Sequence, residues 1–145
     1  MDAKKTKLQN LDWDNLTFSI TPARSMYIAQ CEAGGEWDEG KLIPYGDIGL
    51  SPAAGVLNYG QGIFEGMKAS RDEEGNPLLF RPELHARRFN ASAERMCMPT
   101  MPEDMFVQAI SNLVAIEKKW IPPAKGSAMY IRPFMFATDE FIGVR

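Results

Sequence analysis

Leu57-Asn58-Tyr59-Gly60-Gln61-Gly62-Ile63-Phe64-Glu65-Gly66-Met67-Lys68 sets two aromatics, an acid and a base among three glycines. Neither a plain core helix nor a solvent loop favours that mixture. Just ahead, Ser51-Pro52 gives a helix entrance, with Ser51 as N-cap and Pro52 at the first helical position. A short helix would then carry Tyr59 and Ile63 on one side, and Gly60 and Phe64 on a neighbouring one. Each glycine inside a helix costs about 1 kcal/mol against alanine, so those at 60, 62 and 66 point to close approach by another element. The spacing Gly60-x-Gly62-x-x-x-Gly66 is one residue too long for a dinucleotide fingerprint and follows no clear strand, which excludes a Rossmann site.

Downstream, Met67 to Ser70 and Leu78 to Arg81 flank a polar Arg71 to Pro77 segment, a hairpin with a longer loop. Pro82 starts a second helix with Ala86, Phe89, Ala93 and Met96 on one face. Thr100-Met101-Pro102-Glu103 reads as a capping box opening a third helix, striped by Phe106, Ala109, Ile110, Leu113 and Trp120 and ended by Pro122-Pro123. Ala128 to Ala137 alternates as a strand, with Tyr130, Arg132, Phe134 and Phe136 on one face. Upstream, Ser25 to Cys31 reads as a strand closed by Gly34-Gly35, and residues 36–50 mix a short strand with an irregular excursion. Residues 1–15 are polar and read as a flexible arm. The order predicts an α+β fold over 16–145: a two-layer domain with a mostly antiparallel sheet and helices on one face.

The chain has 145 residues, 45% hydrophobic and 24% charged, which bounds it to one globular domain with a real core. No apolar run approaches the ~18 residues of a membrane span, so no membrane partner is expected. With a net charge of −3 and no basic stripe, no nucleic acid is expected either. Cys31 and Cys97 lack any CxxC or Cys/His arrangement and read as free thiols, so no metal is implied. The lone histidine, His85, is accompanied by no nucleophile motif, which sets hydrolase chemistry aside. Acidic residues in the opening stretch argue against a leader sequence and make the cytoplasm the expected compartment.

Period two on the last strand sets the Arg132 guanidinium beside the Tyr130 phenol, with Phe134 next along. A planar donor fork beside an aromatic suits bidentate capture of a carboxylate. The residues equally allow Arg132 to pair with a core-edge glutamate. Arg87 and Arg88 stand near the positive end of a helix dipole, where an arriving phosphate monoester would relieve the conflict; pairing with Glu83 and Glu94 along a solvated face is the competing account. Phe18, Tyr59 and Phe64 could wall an apolar pocket or be ordinary core. Glu65 and Lys68, three apart, could simply bond to each other.

Taken in order, the opening stretch, Phe80-Arg81-Pro82-Glu83-Leu84-His85-Ala86-Arg87-Arg88-Phe89, Ser92 to Pro99, Trp120-Ile121-Pro122-Pro123 and Met129-Tyr130-Ile131-Arg132-Pro133-Phe134 resemble the N-terminal small domain of the branched-chain-amino-acid aminotransferases, fold-type IV pyridoxal-phosphate enzymes. The resemblance runs from about Leu11 to Arg145. It implies that Arg88 binds the cofactor phosphate, that Phe18, Tyr59, Phe64 and Tyr130 line the substrate pocket, and that Arg132 receives the distal carboxylate of glutamate or 2-oxoglutarate. Lys68 matches a position where such enzymes carry Lys or Arg near the pocket. The implied reaction moves an amino group between leucine, isoleucine or valine and 2-oxoglutarate, in a homodimer with pockets between chains. The covalent lysine of that family lies in a large C-terminal domain, and none of the eight lysines here matches it. No catalytic residue is therefore expected in this chain, and it is expected to be inactive alone. A non-catalytic dimerising or anion-binding module, or a D-amino-acid aminotransferase, remains the alternative.

Overall fold

The computed structural model describes residues 8, 11–16, 20–32 and 34–143; Phe18 and most of the 1–15 arm lie outside them. Two strands form the first ribbon: β1 (Ser25–Ile28) pairs antiparallel with β2 (Lys41–Pro44). The ring of Tyr27 lies over Gly40, whose φ of 63° suits glycine, and Tyr27 Oη donates to the Glu39 carbonyl at 2.7 Å. Next come a short helix, α1 (Gly55–Tyr59), and three strands, β3 (Gly62–Phe64), β4 (Met67–Arg71) and β5 (Pro77–Leu79). Two long helices follow, α2 (Pro82–Arg95) and α3 (Glu103–Glu117), and a 3-10 turn over Lys118–Trp120 leads towards β6 (Met129–Ile131) and β7 (Phe134–Phe136).

Residues 62–71 and 129–136 form one antiparallel ribbon. Gly62 opposes Phe136, Phe64 opposes Phe134, Met67 opposes Ile131 and Ala69 opposes Met129, all in a single register. The ladder breaks only where Glu65 meets Pro133. Glu65 N–H donates to the Pro133 carbonyl at 2.8 Å, and proline has no N–H to return. The predicted single strand over 128–137 is therefore two short ones joined through Arg132-Pro133, with its alternation of faces intact. β5 adds to the outer edge of β4 as the predicted hairpin.

One face of the ribbon is the core. Ile63, Met67, Ala69 and Ile131 meet Ala86, Phe89 and Ala93 of α2 and Phe106, Ile110 and Val114 of α3 in one buried cluster. The rings of Phe89 and Phe106 lie 5.2 Å apart, a separation at which tilted aromatics attract. Arg71 closes the far end of α3, donating from Nη2 to the carbonyls of Lys118 (3.3 Å) and Ile121 (2.8 Å) and so satisfying acceptors that a helix terminus leaves orphaned. Both long helices pack on the same side, the predicted α+β arrangement.

Three local expectations are corrected. Ser51 does not cap a helix: its Oγ accepts from Ala53 N–H within a turn, and α1 starts at Gly55. The helix ends at Tyr59 because Gly60 takes a left-handed conformation, φ 65°, with its N–H on the Val56 carbonyl. Ile63 and Phe64 are consequently strand residues on opposite faces, not two sides of a helix. No capping box opens α3 either. Its N-cap position is Pro102, the Thr100 carbonyl accepts from Trp37 Nε1 at 2.8 Å, and Glu103 pairs with Arg87 at 3.1 Å. Glu103 and Asp104 in the first turn instead complement the dipole. Among the described residues no helix is long and apolar enough to cross a membrane.

Candidate functional site

Because pleat parity is preserved through the break at Pro133, the ribbon sorts its side chains. Phe64, Lys68, Tyr130, Arg132 and Phe134 project from the face away from the helices and are exposed. On this face the Arg132 guanidinium stacks on Phe64, 4.4 Å from the ring centroid, a favourable cation–π distance. Its Nε and Nη2 donate to Tyr130 Oη at 3.2 and 2.8 Å. Among the described residues no carboxylate pairs with Arg132, so the core-edge glutamate is not its partner. Tyr130 can lean this way because residue 66 is glycine: a Cβ there would stand 2.6 Å from Tyr130 Oη. Lys68 is the cross-strand neighbour of Tyr130. Phe134 stacks with Phe136 at 5.7 Å. The result is an apolar aromatic wall with one oriented guanidinium, whose Nη1 edge has no hydrogen bond among the described residues.

The opposite face carries the second cation. Glu65 shares parity with Ile63 and Met67 and points towards α2, where it is 4% exposed. Arg88 grips it bidentately, Nε to Oε1 and Nη2 to Oε2, both at 2.6 Å, the strong planar geometry for this pair. His85 Nδ1 lies 2.9 Å from Oε2; an ionised Glu65 can only accept, so Nδ1 carries the proton. The Arg88 bonds hold the Glu65 carboxyl below the usual carboxylate range, against the opposing effect of burial and with further help from His85. The same pairing raises Arg88. Arg88 nevertheless remains 65% exposed, with its Nη1 edge unpaired among the described residues. That donor set fits a phosphate monoester: a fixed cation with two N–H groups directed away from its buried partner.

The structure thus brings Phe64, Tyr130 and Arg132 together, and sets Arg88 against the other side of the same ribbon at Glu65. Tyr59, at the end of α1, accepts a 2.7 Å hydrogen bond from Gly143 N–H. Among the described residues the pairings expected of Arg87 and Arg88 with Glu83 and Glu94 do not form, nor does a Glu65–Lys68 pair, since those two differ in parity. Glu65 and His85 are the members that sequence reasoning missed. The signal was present: an acid at the core-facing parity between Ile63 and Met67 requires a buried partner.

No protein-family model matches the chain. The chain is 48% identical to branched-chain-amino-acid aminotransferase 5, chloroplastic, of Arabidopsis thaliana, over 139 residues that make up 96% of this chain and 34% of that protein. It is 47% identical to branched-chain amino acid aminotransferase 2, chloroplastic, of Humulus lupulus, over 98% of this chain and 35% of that protein. Among solved structures it is similar to the T.th. branched-chain amino acid aminotransferase complexed with N-(5'-phosphopyridoxyl)-L-glutamate. That match has a TM-score of 0.59 and 27% identity, covering 79% of this chain and 36% of that one. The expected resemblance to branched-chain aminotransferases is borne out, and the chain spans about a third of the length of the relatives it matches.

Proposed function

We propose that this chain is the substrate-side domain of a branched-chain-amino-acid aminotransferase, acting on leucine, isoleucine or valine with 2-oxoglutarate. The observation that carries the reading is the sequence likeness over nearly the whole chain. N-(5'-phosphopyridoxyl)-L-glutamate, named for the T.th. structure, itself unites a phosphate with an acidic side chain.

In this reading Arg88 offers its free Nη1 edge to the phosphate of pyridoxal phosphate. Phe64 and Tyr130 form the wall against which an aliphatic substrate side chain is desolvated. Arg132, at the rim of that wall, turns its unpaired donors to the distal carboxylate when the substrate is acidic. Tyr59 and Phe18 are further walls. The cofactor, when bound, supplies the electron sink for amino-group transfer. The covalent lysine comes from outside these 145 residues, so the chain alone binds without turning over. Cytoplasmic residence and homodimeric assembly of the whole enzyme belong to the same proposal.

The test titrates the chain with N-(5'-phosphopyridoxyl)-L-glutamate and follows tryptophan fluorescence. Binding should saturate, weaken in both Arg88→Ala and Arg132→Ala, and the unmodified chain should leave leucine and 2-oxoglutarate unchanged when pyridoxal phosphate is added. Turnover by the chain alone, or binding by both variants as tight as by the unmodified chain, refutes the reading.

A further inference from the structure

Glu65 is a buried acid that the proposed substrate and cofactor contacts leave unused. We infer that it is a positioning residue: it holds Arg88 by Nε and Nη2 so that only the Nη1 edge is presented to a phosphate monoester. The inference rests on the reading of Arg88 given above and deepens it. Arginine on an exposed helix face samples many rotamers, and capture of an anion must normally freeze them. Here the freezing is done in advance. Two 2.6 Å bonds from one guanidinium to one carboxylate fix both the position and the plane of the fork, and His85, at 2.9 Å from Oε2, holds the carboxylate from a third direction. Glu65 is itself held in place, because it lies between the core residues Ile63 and Met67 and its N–H donates to the Pro133 carbonyl.

Geometry and simple charge make opposite demands on this acid, which gives the inference its test. Glu65→Gln removes a negative charge near the arriving phosphate, so electrostatics alone would tighten binding. A positioning role requires the reverse, because the amide no longer accepts at both oxygens.

The chain, labelled with ¹⁵N, is titrated with phenyl phosphate, which carries no aldehyde to modify lysines. In the unmodified chain the Arg88 Nε–H resonance should be displaced from the free-arginine position and should stay where it is as phenyl phosphate saturates. In Glu65→Gln that resonance should return towards the free position and affinity should fall about tenfold, with the amide spectrum of the core unchanged; Arg88→Ala should abolish binding. Loss of binding in Arg88→Ala with equal or tighter binding in Glu65→Gln overturns the positioning role and leaves the Arg88 contact standing. Binding by Arg88→Ala equal to that of the unmodified chain overturns both. If Glu65→Gln does not fold, the unmodified chain decides: a phosphate-induced shift of Arg88 Nε–H means that the anion displaces Glu65, and the inference fails.

Discussion

Gly66→Ala separates the stability of the domain from the geometry of its aromatic face. Residue 66 has no positive φ, so alanine meets no backbone strain, and the loss of chain freedom in the unfolded state favours the variant by about 0.4–1 kcal/mol. Against this, the new Cβ would stand 2.6 Å from Tyr130 Oη and 3.3 Å from its Cζ, so the ring must move. Tyr130 is 54% exposed and can swing into solvent, surrendering the two bonds from Arg132. Such bonds are each worth about 0.5–1.5 kcal/mol, with the lower end apt for a solvated pair. The opposing effects leave a net change within about 1 kcal/mol. Urea unfolding should therefore give nearly the original midpoint, while the Arg132 Nε–H resonance moves towards that of free arginine. An unmoved Arg132 signal, or a loss above about 3 kcal/mol, would refute the claim that glycine is required there only to admit the phenol.

Phe89→Ala should destabilise the domain by about 3–5 kcal/mol, because the ring is 3% exposed and packs on Phe106; urea titration reads it. Glu117 is 1% exposed, and among the described residues neither of its carboxylate oxygens is hydrogen-bonded. Glu117→Leu should therefore raise the thermal midpoint, by the equivalent of about 1–3 kcal/mol, and a lowered midpoint would mean that the acid has a partner. The folded Glu65 carboxyl lies below its unfolded value. Its contribution is thus fully present above the ordinary glutamate pKa of about 4.3 and is lost as pH falls through the depressed folded value. Urea midpoints should drop in that acid window, and drop less steeply in Glu65→Gln.

The helices were legible because α2 and α3 carry their buried residues at a helical period over long stretches. The alternation of residues 128–137 likewise announced that Tyr130 and Arg132 share a face. What the sequence concealed was register. Nothing local states that residues 62–69 pair with 129–136, and without that pairing Glu65 looks like a neighbour of Lys68 instead of the anchor of Arg88. The Thr100 to Glu103 pattern misled for a related reason, since tertiary partners, Trp37 and Arg87, claim the groups that a local cap would use. Gly60 was read as helical when its left-handed turn is what converts helix into strand.

The register kept across the break at Glu65 and Pro133 has a corollary for sequence change. Odd positions of residues 62–69 look inward to the helix carrying Arg88, and even positions look outward to Arg132. In the function proposed above, replacing an outward residue such as Phe64 would reshape the accepted side chain without disturbing the Glu65–Arg88 pair. A one-residue insertion or deletion in either strand, by contrast, exchanges the two sets at once. The length of the segment between Gly62 and Ala69 therefore sets the two faces more firmly than the identity of any one residue in it.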